Sequence, residues 1–173
     1  MEIDMKHVGI YLQNEHALVP TRATAESACY DVYACLPDNT RVDVKSDFNE
    51  SRVRVIKDGL FTLFPGERAL IPTGCVFDIP VGFSIRLHPR SGISFKHGVC
   101  LANAEGVIDS DYYHQTLVAL INHSEASFVI KHGDRIAQLE LTPTVSINLE
   151  TLSSAPRPRT TRAGGFGSSG IEQ

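Results

Sequence analysis

At 173 residues, with 42% hydrophobic and 21% charged residues, the chain has the composition of one globular domain with room for a core, and no run approaches the roughly 20 apolar residues of a membrane span. A net charge of −4 and a pI near 5.9 argue against a nucleic-acid-binding surface, although a local Arg cluster could still hold a small polyphosphate. Cys29, Cys35, Cys75 and Cys100 form no CxxC pair and lie in apolar runs, which reads as buried thiols in a reducing compartment and not as a zinc site or disulfide frame. The acidic start MEIDMKHVGIYL has too short an apolar run for a signal peptide, so the expected compartment is the cytoplasm, or the host cytoplasm for a viral protein.

Short runs of Val, Ile, Phe and Thr recur between Gly, Pro, Asp and Asn, and no stretch sustains a long 3.6-residue period, so the expectation is an all-β domain over residues 1–152. His7 to Leu12 reads as a first strand and Cys29 to Ala34 as a second. Thr40 to Phe64 reads as a small meander, in which RVDV and RVRVI alternate and Asp58–Gly59 makes a two-residue hairpin turn. Its 38–59 portion is expected to be an inserted hairpin on the surface, covering an edge or meeting a protein partner.

ALIPTG, CVFDI and FSIRL follow, and then the pattern breaks at HPRSGISFKHG. This stretch reads as a turn and a single helical turn ended by Gly98. Its small residues after Arg90 could form an anion nest; the plainer reading is a strand-to-helix turn with a surface Arg.

In Leu101 to Gln115, LANAEGVIDSDYYHQ, a strand pattern is interrupted by an acid-rich loop, read as an active-site hairpin. Val107 and Ile108 are apolar, Gly106 permits a bend or a close approach, and Asp109 and Asp111 alternate. A carboxylate held there could orient and deprotonate a water; a solvated turn is the plainer reading. TLVALIN, SFVIK and IAQLELT complete the strands. From residue 153 to 173 the composition becomes that of a flexible, glycine-rich arm, yet Arg162, Phe166, Ser168 and Ser169 would suit a segment that folds over a nucleotide.

Five stretches taken together, SACYDVYA around Asp31, PRSGIS from Pro89, NAEGVIDSDY, GDRIAQL from Gly133 and RAGGFGSSG from Arg162, resemble the trimeric dUTP pyrophosphatases, the dUTPases. The resemblance implies a jelly-roll-like β domain, a homotrimer with active sites shared between subunits, and Mg2+-dependent cleavage of dUTP to dUMP and pyrophosphate, which limits uracil in DNA. It assigns Asp109 as the base, and Asn103 with the backbone of Gly106, Val107 and Ile108 to the uracil edge. Tyr112 would lie under the deoxyribose and Arg90, Ser91 and Gly92 on the phosphates. Gln138 would reach the phosphate and metal region from a different subunit, Asp31 and Gln138 would meet Mg2+ through water, and Arg162, Phe166, Gly167, Ser168 and Ser169 would close over the nucleotide. Cys29 stands where the family usually has Gly, Tyr113 and His114 follow Tyr112 in place of a variable residue and Gly, and the fifth motif is one residue short. Two other readings are a dCTP deaminase, which needs a Glu where this chain has Ala119, and a non-catalytic regulatory module on the same fold.

Overall fold

The computed structural model describes residues 6–161. In chain order the strands are β1 Gly9–Leu12, β2 Tyr30–Tyr33, β3 Arg41–Lys45, β4 Ser51–Val55, β5 Leu60–Leu63, β6 Arg68–Pro72, β7 Cys75–Asp78 and β8 Phe83–His88. The helix α1 Ser91–His97 follows, and then β9 Val99–Leu101, β10 Gly106–Ile108, β11 Leu117–Asn122, β12 Phe128–Lys131 and β13 Arg135–Pro143. Every strand pair is antiparallel, as the jelly-roll-like expectation requires. A four-stranded sheet, β10-β8-β13-β2, faces a five-stranded sheet, β4-β3-β6-β11-β9, and β1-β7 and β12-β5 form two further ribbons.

The core lies where the alternating strand patterns converge. Val32, Ile85, Leu87, Ile108 and Leu139 come from the four-stranded sheet, and Val42, Val44, Ile71, Val118 and Leu120 from the five-stranded one. Inward and outward side chains alternate along each strand, which fixes the pairing register against one-residue slips. Ser84 departs from this simple picture: it is buried, although the alternation of FSIRL turns it away from Ile85.

The hairpin expected to cover an edge stands at the margin of the five-stranded sheet, beside β6, but it is not confined to the surface. Asp58 and Gly59 both have positive φ (55° and 66°), and the Leu60 N–H donates to the Lys57 carbonyl (3.1 Å), the two-residue turn the sequence predicts. Beyond that turn, however, β5 pairs with β12. β3 lies between β4 and β6, and Val42, Val44, Ile56, Phe61 and Leu63 are all buried. The 38–59 stretch therefore supplies part of the core. Arg54 of β4 reaches back across it: its guanidinium forms an ion pair with Glu67, donates to the Thr62 carbonyl (2.8 Å) and lies over the rings of Phe61 and Phe64.

The break after β8 is a helix of seven residues, longer than the single turn expected. Gly98 caps it at φ 65°, donating its N–H to the Ser94 carbonyl. All four cysteines are free; Cys35 and Cys75 are buried as expected, but Cys29 and Cys100 are only partly so. Burial pushes the thiols of Cys35 and Cys75 up from their ordinary value.

Candidate active site

The stretch read as an active-site hairpin is instead a corner between sheets. β9 pairs with β11 in the five-stranded sheet, whereas β10 pairs with β8 in the four-stranded one. The turn between them is tight: the Ala104 N–H donates to the Leu101 carbonyl (3.2 Å), the Glu105 N–H to the Asn103 carbonyl (2.7 Å), and Ala104 sits at φ 61°. Where the sheets part they leave a cavity of about 270 Å³, lined by Asn103, Gly106, Val107, Ile108, Asp109 and Tyr112, with Thr116 and Ala119 on its β11 side. Six of the predicted residues thus share one cleft.

Asp109 follows β10 directly and is exposed at this cleft, which suits a carboxylate that must meet water and ligand. Tyr112 is fixed by two contacts: its hydroxyl donates to the Gln115 carbonyl (3.2 Å), and its ring meets His114 edge-on at 5.6 Å. Tyr113 and His114, which replace a variable residue and Gly after Tyr112, therefore leave Tyr112 against the cavity. Sequence reasoning missed Thr116, a buried residue beside the cavity whose hydroxyl oxygen has no hydrogen-bond partner. Its signal was a polar residue at an inward position just before β11.

Gly106 serves cross-strand packing. It pairs with Leu87, and a Cβ built there would stand 3.0 Å from the Leu87 Cβ and 3.2 Å from its Cδ1. The nearest of these atoms is a Cβ, which side-chain rotation cannot move. Gly106→Ala is expected to lower stability by about 1–3 kcal/mol through overpacking. An unchanged midpoint in denaturant unfolding would contradict this account.

A second cluster forms around Asp31 of β2. Its carboxylate is nearly buried and accepts from two guanidinium groups, Arg90 Nε to Oδ1 at 3.0 Å and Arg135 Nη1 to Oδ2 at 3.2 Å. Arg90 also donates to the Arg135 carbonyl (3.2 Å), and Gln138 Nε2 donates to the Pro89 carbonyl (3.0 Å). A β-bulge makes the arrangement possible. Residues three apart in a regular strand face opposite ways, but the register shift between Arg135 and Ala137 sets Arg135 opposite Tyr33 and Gln138 opposite Asp31, on one face. Arg135 is the residue the sequence reading passed over here; only the bulge brings it to Asp31.

Ser91 and Gly92 open α1 beside Arg90 and are exposed, and a Cβ at Gly92 would meet nothing within 4 Å. That open side lets a ligand come up to backbone N–H groups.

The two clusters stand apart in one chain. Asp109 continues β10 past the Ile108–Ile85 pair, toward Ser84, whereas Arg90 lies beyond the other end of β8. At about 3.3 Å per residue, six residues of extended chain separate their levels by roughly 20 Å. Arg162, Phe166, Gly167, Ser168 and Ser169 lie outside the described residues.

The oxygen donors near Arg90 suit a hard cation held mainly by its substrate. Both Asp31 oxygens already accept from arginines, and Gln138, with its Nε2 engaged, keeps an amide oxygen, so these two residues suit water-mediated contacts better than direct ligation.

The family model described as dUTPase matches residues 53–170. The deoxyuridine 5'-triphosphate nucleotidohydrolase of Nautilia profundicola is 39% identical over 160 residues, covering 91% of this chain and 94% of the relative. Among solved structures, the dUTPase of Staphylococcus bacteriophage 80alpha, a mutant with dUpNHpp, shares the fold with a TM-score of 0.75 at 22% identity, covering 96% of this chain and 100% of that one. A mutant dUTPase from phage phi11 of S. aureus, which coordinates a structural Mg(II) ion, has a TM-score of 0.66 at 22% identity, over 86% of this chain and 98% of that one. Among the described residues, no helix is long and apolar enough to cross a membrane.

Proposed function

Since the chain belongs to the dUTPase family, we propose that its two residue clusters are the base-selecting and phosphate-holding halves of one catalytic site, brought together between subunits of a homotrimer. The enzyme is a dUTP diphosphatase that hydrolyses dUTP to dUMP. The observation that carries the proposal is the separation along β8: Asp109 and Arg90 must act on neighbouring phosphates of one substrate, yet they lie at opposite ends of a strand.

In this reading the uracil enters the cleft between the sheets. Asn103 and the backbone of Gly106, Val107 and Ile108 supply the donors and acceptors that pair with its edge. The Tyr112 ring, fixed through Gln115 and His114, packs under the deoxyribose and leaves no space for a 2′-hydroxyl. Asp109 takes a proton from a water as its oxygen attacks the α-phosphorus; the bond from that phosphorus to the bridging oxygen breaks, and pyrophosphate departs. On the partner subunit, Arg90 is held by Asp31 so that its remaining donors face the phosphates, with Ser91 and the open backbone at Gly92 beside them. Mg2+ bound by the triphosphate would neutralise charge on the departing oxygens. Gln138 and Asp31 would meet its water shell. Arg162, Phe166, Gly167, Ser168 and Ser169 would close over the bound nucleotide, and the cytoplasm is the proposed compartment.

The deaminase reading meets an obstacle in the cleft itself. Ala119 lines the same cavity as Asn103 and Asp109 and has no group that moves protons. The test is pyrophosphate release from dUTP, dCTP, dTTP and UTP with magnesium, with ammonia followed in parallel. Cleavage confined to dUTP is expected. Ammonia from dCTP, or equal cleavage of UTP, would overturn the assignment of the cleft.

A further inference from the structure

Beyond the catalytic residues, the outward face of the four-stranded sheet gathers three metal-ligating side chains that are far apart in sequence. In the β13 ladders Glu140 pairs with Arg86 and Gln138 with His88 on one side, and Gln138 with Asp31 on the other. Continuing the β2 ladder one residue past its last pair, Leu139 with Tyr30, brings Cys29 level with Glu140. A sulfur, a ring nitrogen and a carboxylate oxygen from Cys29, His88 and Glu140 all lie within 4.8 Å of one another, and each residue is partly buried.

The imidazole stands between two carboxylates. His88 Nε2 lies 3.3 Å from Glu140 Oε1, and Nδ1 lies 3.8 Å from Glu105 Oε1; the other Glu105 oxygen accepts from Arg86 Nη1 at 3.1 Å. Nε2 thus meets the Glu140 carboxylate, while Nδ1 faces at longer range a second carboxylate that is itself anchored. Histidine ligands of metals are commonly oriented in this way, with the far N–H given to a carboxylate.

We propose that Cys29, His88 and Glu140 bind one divalent transition-metal ion of the zinc class per chain, with Glu105 positioning His88. Thiolate and imidazole suit zinc and its neighbours and are poor partners for Mg2+, so this centre is chemically distinct from the magnesium of the hydrolytic site. Ligand distances of about 2.0–2.3 Å at a tetrahedral ion set donors roughly 3.3–3.8 Å apart, so side-chain rotations must bring these groups, now within 4.8 Å of one another, closer together. A water completes four-coordination, and the thiol gives its proton to the buffer on ligation. The ion links the entry to β2, the end of β8 and the middle of β13, and its effect is to tie these strands together.

The test uses the full-length, metal-stripped protein titrated with Co2+, a spectroscopic stand-in for zinc. One Co2+ per chain is expected, giving a sulfur-to-cobalt charge-transfer band that stoichiometric Zn2+ removes, and Zn2+ alone should raise the thermal midpoint. Cys29→Ser should abolish the band and Cys100→Ser should leave it intact. Glu105→Gln should weaken the affinity about 10–100-fold, the usual cost of losing such a supporting group. Should Cys29→Ser not fold, Glu140→Gln serves in its place and should weaken cobalt binding. The proposal is overturned by an absent band, by a band that survives in Cys29→Ser or disappears in Cys100→Ser, or by unchanged affinity in Glu140→Gln.

Discussion

Asp109→Asn is expected to bind dUTP as the parent enzyme does while kcat falls by about 10²–10⁴-fold, the usual contribution of a positioned general base. Asn has nearly the size and shape of Asp, so the turn after β10 and the cleft beside it keep their geometry. An amide cannot take the proton of an attacking water. Asp109 stands exposed at the cleft, so the exchange leaves no buried group without a partner. The loss therefore falls on kcat with KM little changed, the pattern of an interaction made only in the transition state. Pyrophosphate release at saturating dUTP, with binding of a non-hydrolysable analogue measured separately, distinguishes the two effects. Turnover at the parent rate would falsify the role of the base, and lost binding would move Asp109 from chemistry to substrate positioning.

The second large effect concerns stability. Arg54→Ala is expected to cost about 3–5 kcal/mol, because it leaves the Glu67 carboxylate buried without its cation. The Glu67 side chain is only 8% exposed against 26% for Arg54, and besides the arginine it accepts from the Phe64 N–H, 3.0 Å from Oε2. At about 2–4 °C per kcal/mol for a chain of this size, the thermal midpoint should fall by roughly 10 °C. The double variant Arg54→Met with Glu67→Leu should regain most of the loss, since replacing a buried pair by apolar groups is often neutral. Unfolding compared at one protein concentration reads both, because association would shift the midpoints. A shift of only one or two degrees in Arg54→Ala would mean that Glu67 finds water.

What the sequence shows of this fold is its local grammar. Alternation in RVDV, FSIRL and TLVALIN marks strands because an antiparallel sheet buries every second side chain. Asp58–Gly59 and Gly98 are legible because positive φ selects those residue types. Pairing is a different matter. Nothing local says that β5 leaves β4 for β12, or that β9 and β10 part into different sheets, because each choice is decided by apolar surface contributed from elsewhere in the chain. The same holds within the clusters. Asp109, Asn103 and Tyr112 lie close in sequence and could be read as a unit. Arg135 reaches Asp31 only through a bulge, and Cys29, His88 and Glu140 meet only through the registers of β13.

The position of β8 bears on how the chain can change over time. In an assembly whose sites combine one end of this strand with the other end of a neighbour's, its six residues act as a spacer shared by all the sites. A residue gained or lost within it would shift both halves relative to each other, and rotational symmetry would repeat the error around the ring. Length is therefore free to vary where that spacing is untouched. The turn between β3 and β4, whose residues 47–50 are exposed at one margin of the other sheet, is such a place.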